Sequence, residues 1–531
     1  MINVLEYLEK TIDEGLFDQN KVAFVGASSS GSIELTFREL SMLSRACGSF
    51  LAHDNIHKQP VVVFMQKSPS MIAAFLGVVY GGCYYIPLDS EMPVFRIRLI
   101  LEAVNPSLII CDDVTSKIIE SWDKPLPYSC NVVNFNEICS YPNDEAALAD
   151  IRVNAIDADP LYIVFTSGST GIPKGVVATH RSVIDYIDNL STVLDVSSDT
   201  VFGNQSPLYL DACLKEVYTT LKFGASAYLI PQSLFMFPVK LIEYIKDNNI
   251  NTICWVASAL SLVAGLGALK AATPDTLHTI AFGSEVFPIK HYNLWRETLP
   301  NARFIHLYGP TEATGMSCFY EPVRTYEADE SIPIGHPFPN SEIILLDDDG
   351  NIAENGQPGE ICIRGTCLSP GYFGDAEKTS AAFIQNPLSA FPDVIYKTGD
   401  MGRRGADGEL YYISRRDHQI KHMGHRIELA EIELVANGCD LIGLACAIFD
   451  DISSHIVLYY VTNEVISNDI ASDEVNNEAD VKKAKSAVRA YLKNNLPRYM
   501  LPHSIFPLEN LPHTPGGKID RVKLLEQYRK G

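Results

Sequence analysis

Residues 162–180 read Tyr-Ile-Val-Phe-Thr-Ser-Gly-Ser-Thr-Gly-Ile-Pro-Lys-Gly-Val-Val-Ala-Thr-His. The β-branched and aromatic run at 162–166 predicts a strand. Glycines in the loop that follows let the backbone approach a polyanion, hydroxyls add donors, and a lysine adds a point charge. The stretch therefore predicts a loop that wraps a triphosphate. Its expected phosphate-binding residues are Thr166, Ser167, Gly168, Ser169, Thr170, Gly171 and Lys174.

This loop differs from two better-known loops. A Walker A loop needs four residues between its first glycine and a Gly-Lys pair, and that spacing does not occur here. A nucleophile elbow needs a serine between two glycines at fixed offsets, and 167–171 has Ser167 where the first of those glycines should stand. The alternative is an ordinary solvated turn rich in Gly, Ser and Thr.

Composition restricts the class of protein. With 531 residues, of which 47% are hydrophobic, the chain can bury a large core, and at about 150 residues per domain it predicts three or four structural units. The net charge of −23 argues against nonspecific binding to nucleic acid or to an anionic membrane. The twelve cysteines form no C-x-x-C pair, so we expect no zinc ribbon and reduced thiols. The N-terminus does not resemble a signal peptide, which favours a cytoplasmic location.

The sequence pattern divides the chain into three regions. From 60 to about 310 strands and helices alternate, which predicts α/β sheets with helices on their faces. From about 335 to 414 short alternating segments between turn signals predict a small antiparallel, barrel-like β region. From 415 to 531 the pattern is α+β. We therefore predict an N-terminal core over 1–414, with α/β subdomains over about 1–330, and a C-terminal domain over 415–531. The uncharged segment Met71–Leu88 predicts a buried helix and a short strand rather than a membrane span.

Five further polar motifs occur at separate positions in the sequence. They are Tyr308-Gly309-Pro310-Thr311-Glu312, Tyr396-Lys397-Thr398-Gly399-Asp400, Arg415–Lys421, Gly424–Glu428 and Thr514–Arg521. Together with the loop at 162–180, these ordered motifs make the chain resemble the adenylate-forming superfamily over essentially its whole length. Within that superfamily it is similar to the amino-acid adenylation domains of nonribosomal peptide synthesis and to the D-alanine–carrier-protein ligases.

The resemblance implies a role for each of these motifs, with ATP and Mg²⁺ as cofactors. Glu312 is expected to bind Mg²⁺, a hard cation that prefers carboxylate oxygens. Tyr308 would lie beside the adenine, with Gly309 and Thr311 in the same nucleotide-binding motif. Asp400 would accept the ribose hydroxyls, and Arg415 would bind the ribose or the α-phosphate.

The C-terminal residues are expected to act in the two half-reactions. Lys518 would bridge the substrate carboxylate and the α-phosphate during adenylate formation, with Glu312 and Thr166 in supporting catalytic roles. The small domain would rotate about a hinge at Asp417, and Gly424 would leave room for an incoming phosphopantetheine arm.

The substrate pocket is expected around Asp211, because Leu210-Asp211-Ala212-Cys213 stands where amino-acid-activating members carry Phe-Asp-x-Ser. Asp211 would bind the substrate ammonium; the alternative is an ordinary helical pair with Lys215. By position, the rest of the lining is Ala212, Lys215, Cys254, Ile280, Phe282, Leu307, Gly315 and Met316.

Two features of this lining favour different substrates. Phe282 would shorten the pocket and favour a small amino acid such as D-alanine, and residues 282–286 resemble the D-alanine ligases. Lys215, if it faces inward, favours an acidic amino acid.

The predicted function is therefore activation of an amino acid as its adenylate and transfer to the phosphopantetheine thiol of a separate carrier protein. No carrier or condensation signature occurs in the chain, and we expect neither a nucleic-acid partner nor membrane insertion. Two alternatives stay open: an acyl- or aryl-CoA ligase, and an inactive adenylate fold used as a binding protein.

Overall fold

Helices and strands alternate through most of the chain. The computed structural model describes residues 1–28, 31–123, 126, 130–168, 173–416, 419–462, 478–508, 510–513 and 519–530. It divides into two units: Met1–Ser90, Ala103–Val164 and Gly175–Arg416 form the first, and Glu91–Glu102, Phe165–Lys174 and Asp417–Gly531 the second. Among the described residues, no helix combines the length and apolar character that crossing a membrane requires.

The strands are β1 (Val22–Ser28), β2 (Gly31–Thr36), β3 (Pro60–Phe64), β4 (Tyr84–Leu88), β5 (Leu108–Cys111), β6 (Asn131–Asn134), β7 (Pro160–Thr166), β8 (Lys174–Thr179), β9 (Val201–Asn204), β10 (Ser226–Leu229), β11 (Thr252–Val256), β12 (Thr279–Gly283), β13 (Arg303–Tyr308), β14 (Cys318–Tyr320), β15 (His336–Pro337), β16 (Ser341–Leu346), β17 (Gly359–Gly365), β18 (Phe383–Gln385), β19 (Val394–Arg404), β20 (Leu410–Arg415), β21 (Gln419–His422), β22 (His425–Glu428), β23 (Ile442–Asp450), β24 (His455–Thr462) and β25 (Ser504–Pro507).

The α-helices are α1 (Leu5–Ile12), α2 (Phe37–His53), α3 (Pro69–Tyr80), α4 (Val94–Val104), α5 (Asp113–Glu120), α6 (Phe135–Ile138), α7 (Glu145–Val153), α8 (His180–Leu194), α9 (Leu214–Phe223), α10 (Pro238–Asp247), α11 (Ala257–Gly265), α12 (Ala268–Ala271), α13 (Ile289–Thr298), α14 (Ala376–Ala382), α15 (Leu429–Asn437), α16 (Glu478–Asn495) and α17 (Arg521–Lys530). Short 3-10 helices cover Asp211–Cys213, Gln232–Met236, Thr311–Ala313 and Arg498–Met500.

A nine-stranded sheet places the candidate site. Its strand order is β15-β14-β13-β12-β11-β9-β10-β1-β2, and the strands from β13 to β1 run parallel. After β9 the chain builds β10 on one side, and after β10 it crosses to build β11, β12 and β13 on the other. Such a reversal of strand order opens a crevice at the carboxyl ends of the strands, where ligands bind in open α/β sheets. Here the reversal lies between β9 and β11.

Two smaller sheets complete the first unit. A six-stranded sheet has the order β6-β5-β3-β4-β7-β8, with parallel pairing from β6 to β7. An antiparallel sheet has the order β16-β17-β19-β18, with β20 on β19. In this last sheet Asp400 lies directly opposite Arg415, so the register of β19 and β20 brings two predicted site residues together.

The described C-terminal residues form small α+β structures. Strands β21 and β22 make a hairpin, and β23, β24 and β25 make a three-stranded sheet. The core against this sheet contains Ile432, Val488 and Leu492 of α15 and α16. The α+β pattern predicted from 415 to 531 is found in the described part of this region.

Local sequence explains where the helices begin. Thr36 and Glu39 form a capping box at α2, and Thr179 accepts a hydrogen bond from the Ser182 amide at α8. Ser68 caps α3, and Pro69 occupies its first position. The prediction for the uncharged segment is confirmed: it folds as the buried end of α3 followed by β4.

Side chains alternate between two cores across the nine-stranded sheet. Ala281 of β12 belongs to the large core that also contains Cys254 and Leu307. Ile280 and Phe282 of the same strand belong to the other core. Because successive strand residues point to opposite faces, this register decides which residues can line the candidate site.

We predict that Gly77→Ala destabilises the protein, because a methyl group there would lie 2.4 Å from Cys47 Cβ, between α3 and α2. Such overpacking costs about 1–3 kcal/mol. The matched control is Gly265→Ala in α11, where the nearest atom, on His291, is 3.6 Å from the added methyl; a helical alanine there is neutral or stabilising by up to about 1 kcal/mol. Urea unfolding of both variants measures the difference, and equal stabilities would contradict the predicted packing.

Candidate active site

The loop after β7 begins with two buried hydroxyls. Thr166 is 9% exposed and Ser167 is 2% exposed. The Ser167 hydroxyl donates to the Arg426 carbonyl at 2.6 Å. Among the described residues the Thr166 hydroxyl has no hydrogen-bond partner. A buried hydroxyl without a partner fits a ligand oxygen, as the predicted phosphate-binding role requires. Gly168 and Lys174 are described, whereas Ser169, Thr170 and Gly171 lie outside the described residues.

A buried triad joins three predicted nucleotide-binding residues in the first unit. Asp400, 1% exposed, accepts a hydrogen bond from the Tyr308 hydroxyl and another from Arg415 Nη1, each at 2.7 Å. Burial, and then the Asp400 carboxylate, raise the pKa of Tyr308 well above its usual value. The phenol therefore stays a donor. Each carboxylate oxygen of Asp400 already holds a protein donor, so ribose hydroxyls would share those oxygens.

The segment between β13 and β14 carries the candidate metal ligand. Glu312, fully buried, accepts a hydrogen bond at 2.7 Å from the Tyr372 hydroxyl on its Oε1. A buried carboxylate oriented in this way fits a Mg²⁺ ligand. A side chain at Gly309 would lie 2.4 Å from the Gly315 carbonyl oxygen, so this turn requires a glycine.

Asp211 lies beside this segment. It begins the 3-10 helix that leads into α9, and the Thr311 side chain lies near enough to favour its ionised form. Burial is the largest effect on the Asp211 carboxyl and raises its pKa, while Thr311 and Lys215 oppose that effect. A substrate ammonium would stabilise the ionised carboxylate in the same way. Ala212, the next residue, is half-buried.

The first turn of α9 buries two more charged residues. Lys215 is 4% exposed and Glu216 is 1% exposed. Glu216 accepts a hydrogen bond from Asn204 Nδ2 at 3.2 Å, and Asn204 ends β9 at the sheet reversal. Burial raises the pKa of Glu216 to about 7, although Lys215 and Lys67 attract its charged form. Burial also lowers the pKa of Lys67 to about 8.

The predicted pocket lining divides between the two faces of the nine-stranded sheet. Cys254, Leu307 and Met316 belong to one core. Ile280 and Phe282 lie on the other side, where Phe282 stacks on His306 with ring centroids 4.9 Å apart. The structure therefore does not bring Phe282 together with Cys254, and the steric argument for a short pocket loses its basis. The strand period of two places Ala281 on the Cys254 face instead.

Sequence reasoning missed several residues of this site. A side chain at Gly315, whose φ is +86°, would lie 2.8 Å from the Tyr186 ring, so Tyr186 faces the same turn. Tyr372 and Lys67 also lay outside the predicted set. Ile280 and Phe282 were predicted to line the pocket in place of their neighbours on β12. Only the pairing register of β12 and β13 could have corrected that choice.

Comparison with known proteins gives the family. A family model described as AMP-binding enzyme matches residues 17–373. The chain belongs to this family. The protein is thus a member of the AMP-binding enzyme family, whose enzymes use ATP. The match confirms the predicted resemblance and, with the observed sheets, the α/β fold class.

Relatives of this AMP-binding enzyme fall into two sizes. Bacitracin synthase 1 of Bacillus licheniformis is 29% identical over 94% of the chain, but the chain spans only 9% of that protein. The D-alanine--D-alanyl carrier protein ligase of Bacillus licheniformis is 30% identical over 93% of the chain and 94% of its own length. The crystal structure of IdnL1 superimposes with a TM-score of 0.77 at 25% identity, over 96% of this chain and 99% of that one.

The predicted hinge and thiol residues of the AMP-binding enzyme lie in or near the second unit. Asp417 and Lys518 fall outside the described residues. Gly424 and Met423 form the two-residue turn of the β21–β22 hairpin, with φ of +78° and +52°. A turn of this kind needs positive φ at both positions. The turn alone is a sufficient reason for a glycine at 424, whatever its role toward a thiol.

We predict that Glu216 makes stability depend on pH. Its folded pKa of about 7 exceeds the ordinary glutamate value of 4.5, so the folded state holds a proton that the unfolded state releases, and stability falls as pH rises between these values. Between pH 5 and 7.5 wild type should lose about 2–3 kcal/mol of unfolding free energy relative to Glu216→Gln. Urea unfolding across this range is the measurement.

The matched control is Glu297→Gln, which removes an exposed glutamate from α13. It should keep the pH dependence of wild type. A Glu216→Gln variant with the same pH dependence as wild type would contradict a raised pKa at this position.

Proposed function

We propose that this enzyme uses ATP and Mg²⁺ to activate an amino acid as its adenylate, releasing pyrophosphate, and then transfers the acyl group to the phosphopantetheine thiol of a separate carrier protein. The observation that carries the proposal is that Asp211, at the start of the 3-10 helix before α9, lies close enough to the segment after β13 for the Thr311 side chain and the Glu312 charge to act on its carboxyl. The candidate amine ligand is thus a neighbour of Glu312, the candidate metal ligand. An amino acid on Asp211 would therefore have its carboxylate close to a Mg²⁺-bound phosphate.

The nucleotide would be held by groups that the fold already orients. Asp400 is fixed by Tyr308 and Arg415, so its carboxylate can accept from ribose hydroxyls without first being ordered. Arg415, 9% exposed at its side chain, is proposed to bind the ribose or the α-phosphate. Thr166 and Lys174 are proposed as a donor and a charge for the phosphates. Mg²⁺, when bound at Glu312, supplies charge stabilisation at the phosphoryl oxygens.

The reaction joins two anions, so its main requirement is electrostatic. The substrate carboxylate attacks the α-phosphorus and pyrophosphate leaves. Lys518 is proposed to neutralise the charge that grows on the α-phosphate oxygens, an interaction worth about 3–4 kcal/mol for a single preorganised donor. Holding both reactants in one site contributes much of the rest.

The second half-reaction needs a thiol acceptor. The resulting adenylate is a mixed anhydride, which a thiol attacks readily. A relative that matches along nearly its whole length is named a carrier protein ligase, which favours a carrier protein over coenzyme A. The second unit supplies Gly424, and Asp417 is proposed as the hinge between an N-terminal domain over 1–414 and a C-terminal domain over 415–531. A cytoplasmic location, where ATP is available, completes the proposal.

Pyrophosphate exchange into ATP tests the proposed function. The wild-type protein should exchange labelled pyrophosphate only when an amino acid is present; D-alanine, which the name of a relative contains, and the acidic amino acids are tested beside the others. Asp211→Asn should lower kcat/KM for the amino acid at least 100-fold, because the substrate ammonium loses its charged partner. Asp188→Asn removes a carboxylate that pairs with Lys222 on the surface and should retain wild-type exchange. Exchange driven by benzoates or fatty acids and by no amino acid would refute the proposal.

The role of Lys518 separates the two half-reactions. We predict that Lys518→Ala lowers adenylate formation by at least 100-fold while ATP binding and thiolation from a supplied aminoacyl-adenylate persist. The matched control is Lys523→Ala, an exposed lysine of α17 five residues away. Unchanged exchange in Lys518→Ala would exclude this lysine from the first step.

A further inference from the structure

Lys215 stands out among the lysines of the enzyme because of its surroundings. It lies in the first turn of α9, a helix whose residues from Leu214 to Leu221 are all buried, and only 4% of it is exposed. Moving an ammonium group out of water is unfavourable by several kcal/mol unless an anion compensates it. A lysine in such a place therefore requires a negative partner.

The described residues offer Lys215 no direct partner. Within the ranges that the structure covers, no carboxylate lies within 4.0 Å of its ammonium nitrogen. Lys222, two turns along the same helix, shows the usual solution: its ammonium pairs with Asp188 at 2.8 Å and is 23% exposed. Lys215 has neither a partner at that distance nor comparable access to water.

The carboxylates that feel the charge of Lys215 are Asp211 and Glu216. Asp211 lies near Thr311 and is the proposed ligand of the substrate ammonium. Glu216 is held by Asn204, and a pKa of about 7 leaves it substantially protonated at neutral pH. Glu216 also feels a second cation, Lys67, whose ammonium donates to the Asn204 and Gln205 carbonyls at 3.2 and 3.3 Å. The charge of Lys215 is therefore only partly compensated by the protein.

The position of Lys215 links it to the proposed substrate site. Its charge is felt by Asp211, one turn earlier, and by the thiol of Cys254. Cys254 lies on the same face of the nine-stranded sheet as Leu307. Phe282, which would have shortened a pocket here, lies on the opposite face. Phe282, the residue that favoured a small amino acid, therefore does not restrict the space on the Cys254 face of the sheet.

We propose that the amino acid activated here carries a second carboxylate, and that Lys215 binds it while Asp211 binds the α-ammonium. This inference rests on the proposed function and narrows its substrate class to acidic amino acids of the aspartate and glutamate type. Binding of the substrate would then form two ion pairs, one at Lys215 and one at Asp211. Neither pair would exist without the substrate. An uncharged side chain would leave the buried ammonium uncompensated, so the site discriminates against it.

The competing explanation is structural: Lys215 serves only to offset Glu216. In that case the lysine stabilises the fold and has no effect on which amino acid is chosen. The two explanations differ in one observable, the ratio of kcat/KM for an acidic amino acid to that for its amide. Aspartate against asparagine, and glutamate against glutamine, are matched in size and differ in charge.

The experiment measures this ratio by amino-acid-dependent pyrophosphate exchange, with both enantiomers of each amino acid and with D-alanine, L-alanine and glycine. Wild type should prefer the better acidic amino acid over its amide by at least 10-fold. Lys215→Met should reduce that preference by 10- to 100-fold, through loss of activity with the acid, because a charged hydrogen bond of about 1.5–3 kcal/mol is removed. Lys222→Met, on the same helix, should keep the wild-type ratio.

Each outcome decides between the explanations. A wild-type preference for amides or for alanine overturns the assignment of Lys215 but leaves amino acid activation intact. A preference for acids that survives in Lys215→Met also overturns it. If no amino acid supports exchange, the proposed function itself fails. Should Lys215→Met not fold, as thermal unfolding would show, Lys215→Gln, which keeps a polar side chain without the charge, takes its place in the same comparison.

Discussion

Burial of carboxylates is the constraint on which the candidate site depends. Asp400, Glu312 and Glu216 are each at most 1% exposed, and an isolated ionised carboxylate is strongly disfavoured in such surroundings. The structure compensates each one differently. Asp400 receives Tyr308 and Arg415, Glu312 receives the Tyr372 hydroxyl, and Glu216 receives Asn204 together with the fields of two lysines. A buried carboxylate whose charge is fully compensated by protein groups is fixed in place. One whose charge is only partly compensated can still respond to a ligand.

The topology of the nine-stranded sheet explains why these groups gather. Parallel strands end at a common edge, and the reversal of strand order between β9 and β11 opens that edge. Asn204 ends β9, the segment from Asp211 to Glu216 follows it into α9, and Thr311 and Glu312 follow β13. Residues about a hundred positions apart therefore come close together, and the Thr311 side chain and the Glu312 charge both act on the Asp211 carboxyl. In the same way, the antiparallel register of β19 and β20 brings Asp400 and Arg415 together.

Sequence reasoning succeeded where one local signal governs the outcome. The alternation of strands and helices expected from 60 to about 310 occurs, because β-branched runs bounded by polar turns have few alternatives. Sequence reasoning failed where the signal was weak or the choice was not local. It did not mark β1 and β2, which precede residue 60, or β14 and β15, which lie around the boundary between the first two predicted regions, although β2, β14 and β15 each pair with the strand before them. Ile280 and Phe282 were assigned to the pocket because their positions are right to within one residue, but one residue in a strand exchanges the two faces.

The sequence by itself determined the family, the α/β architecture and the chemical identity of the candidate nucleotide-binding groups. Those properties follow from ordered motifs in which residue type and spacing carry the information. The tertiary structure alone decided which side chains face one another: that Tyr308 holds Asp400, that Tyr372 holds Glu312, that Phe282 lies away from Cys254, and that Lys215 is buried without a carboxylate at ion-pair distance among the described residues. The physical reason is that burial and pairing depend on strand register and on contacts between distant segments, and neither is a property of a local stretch of chain.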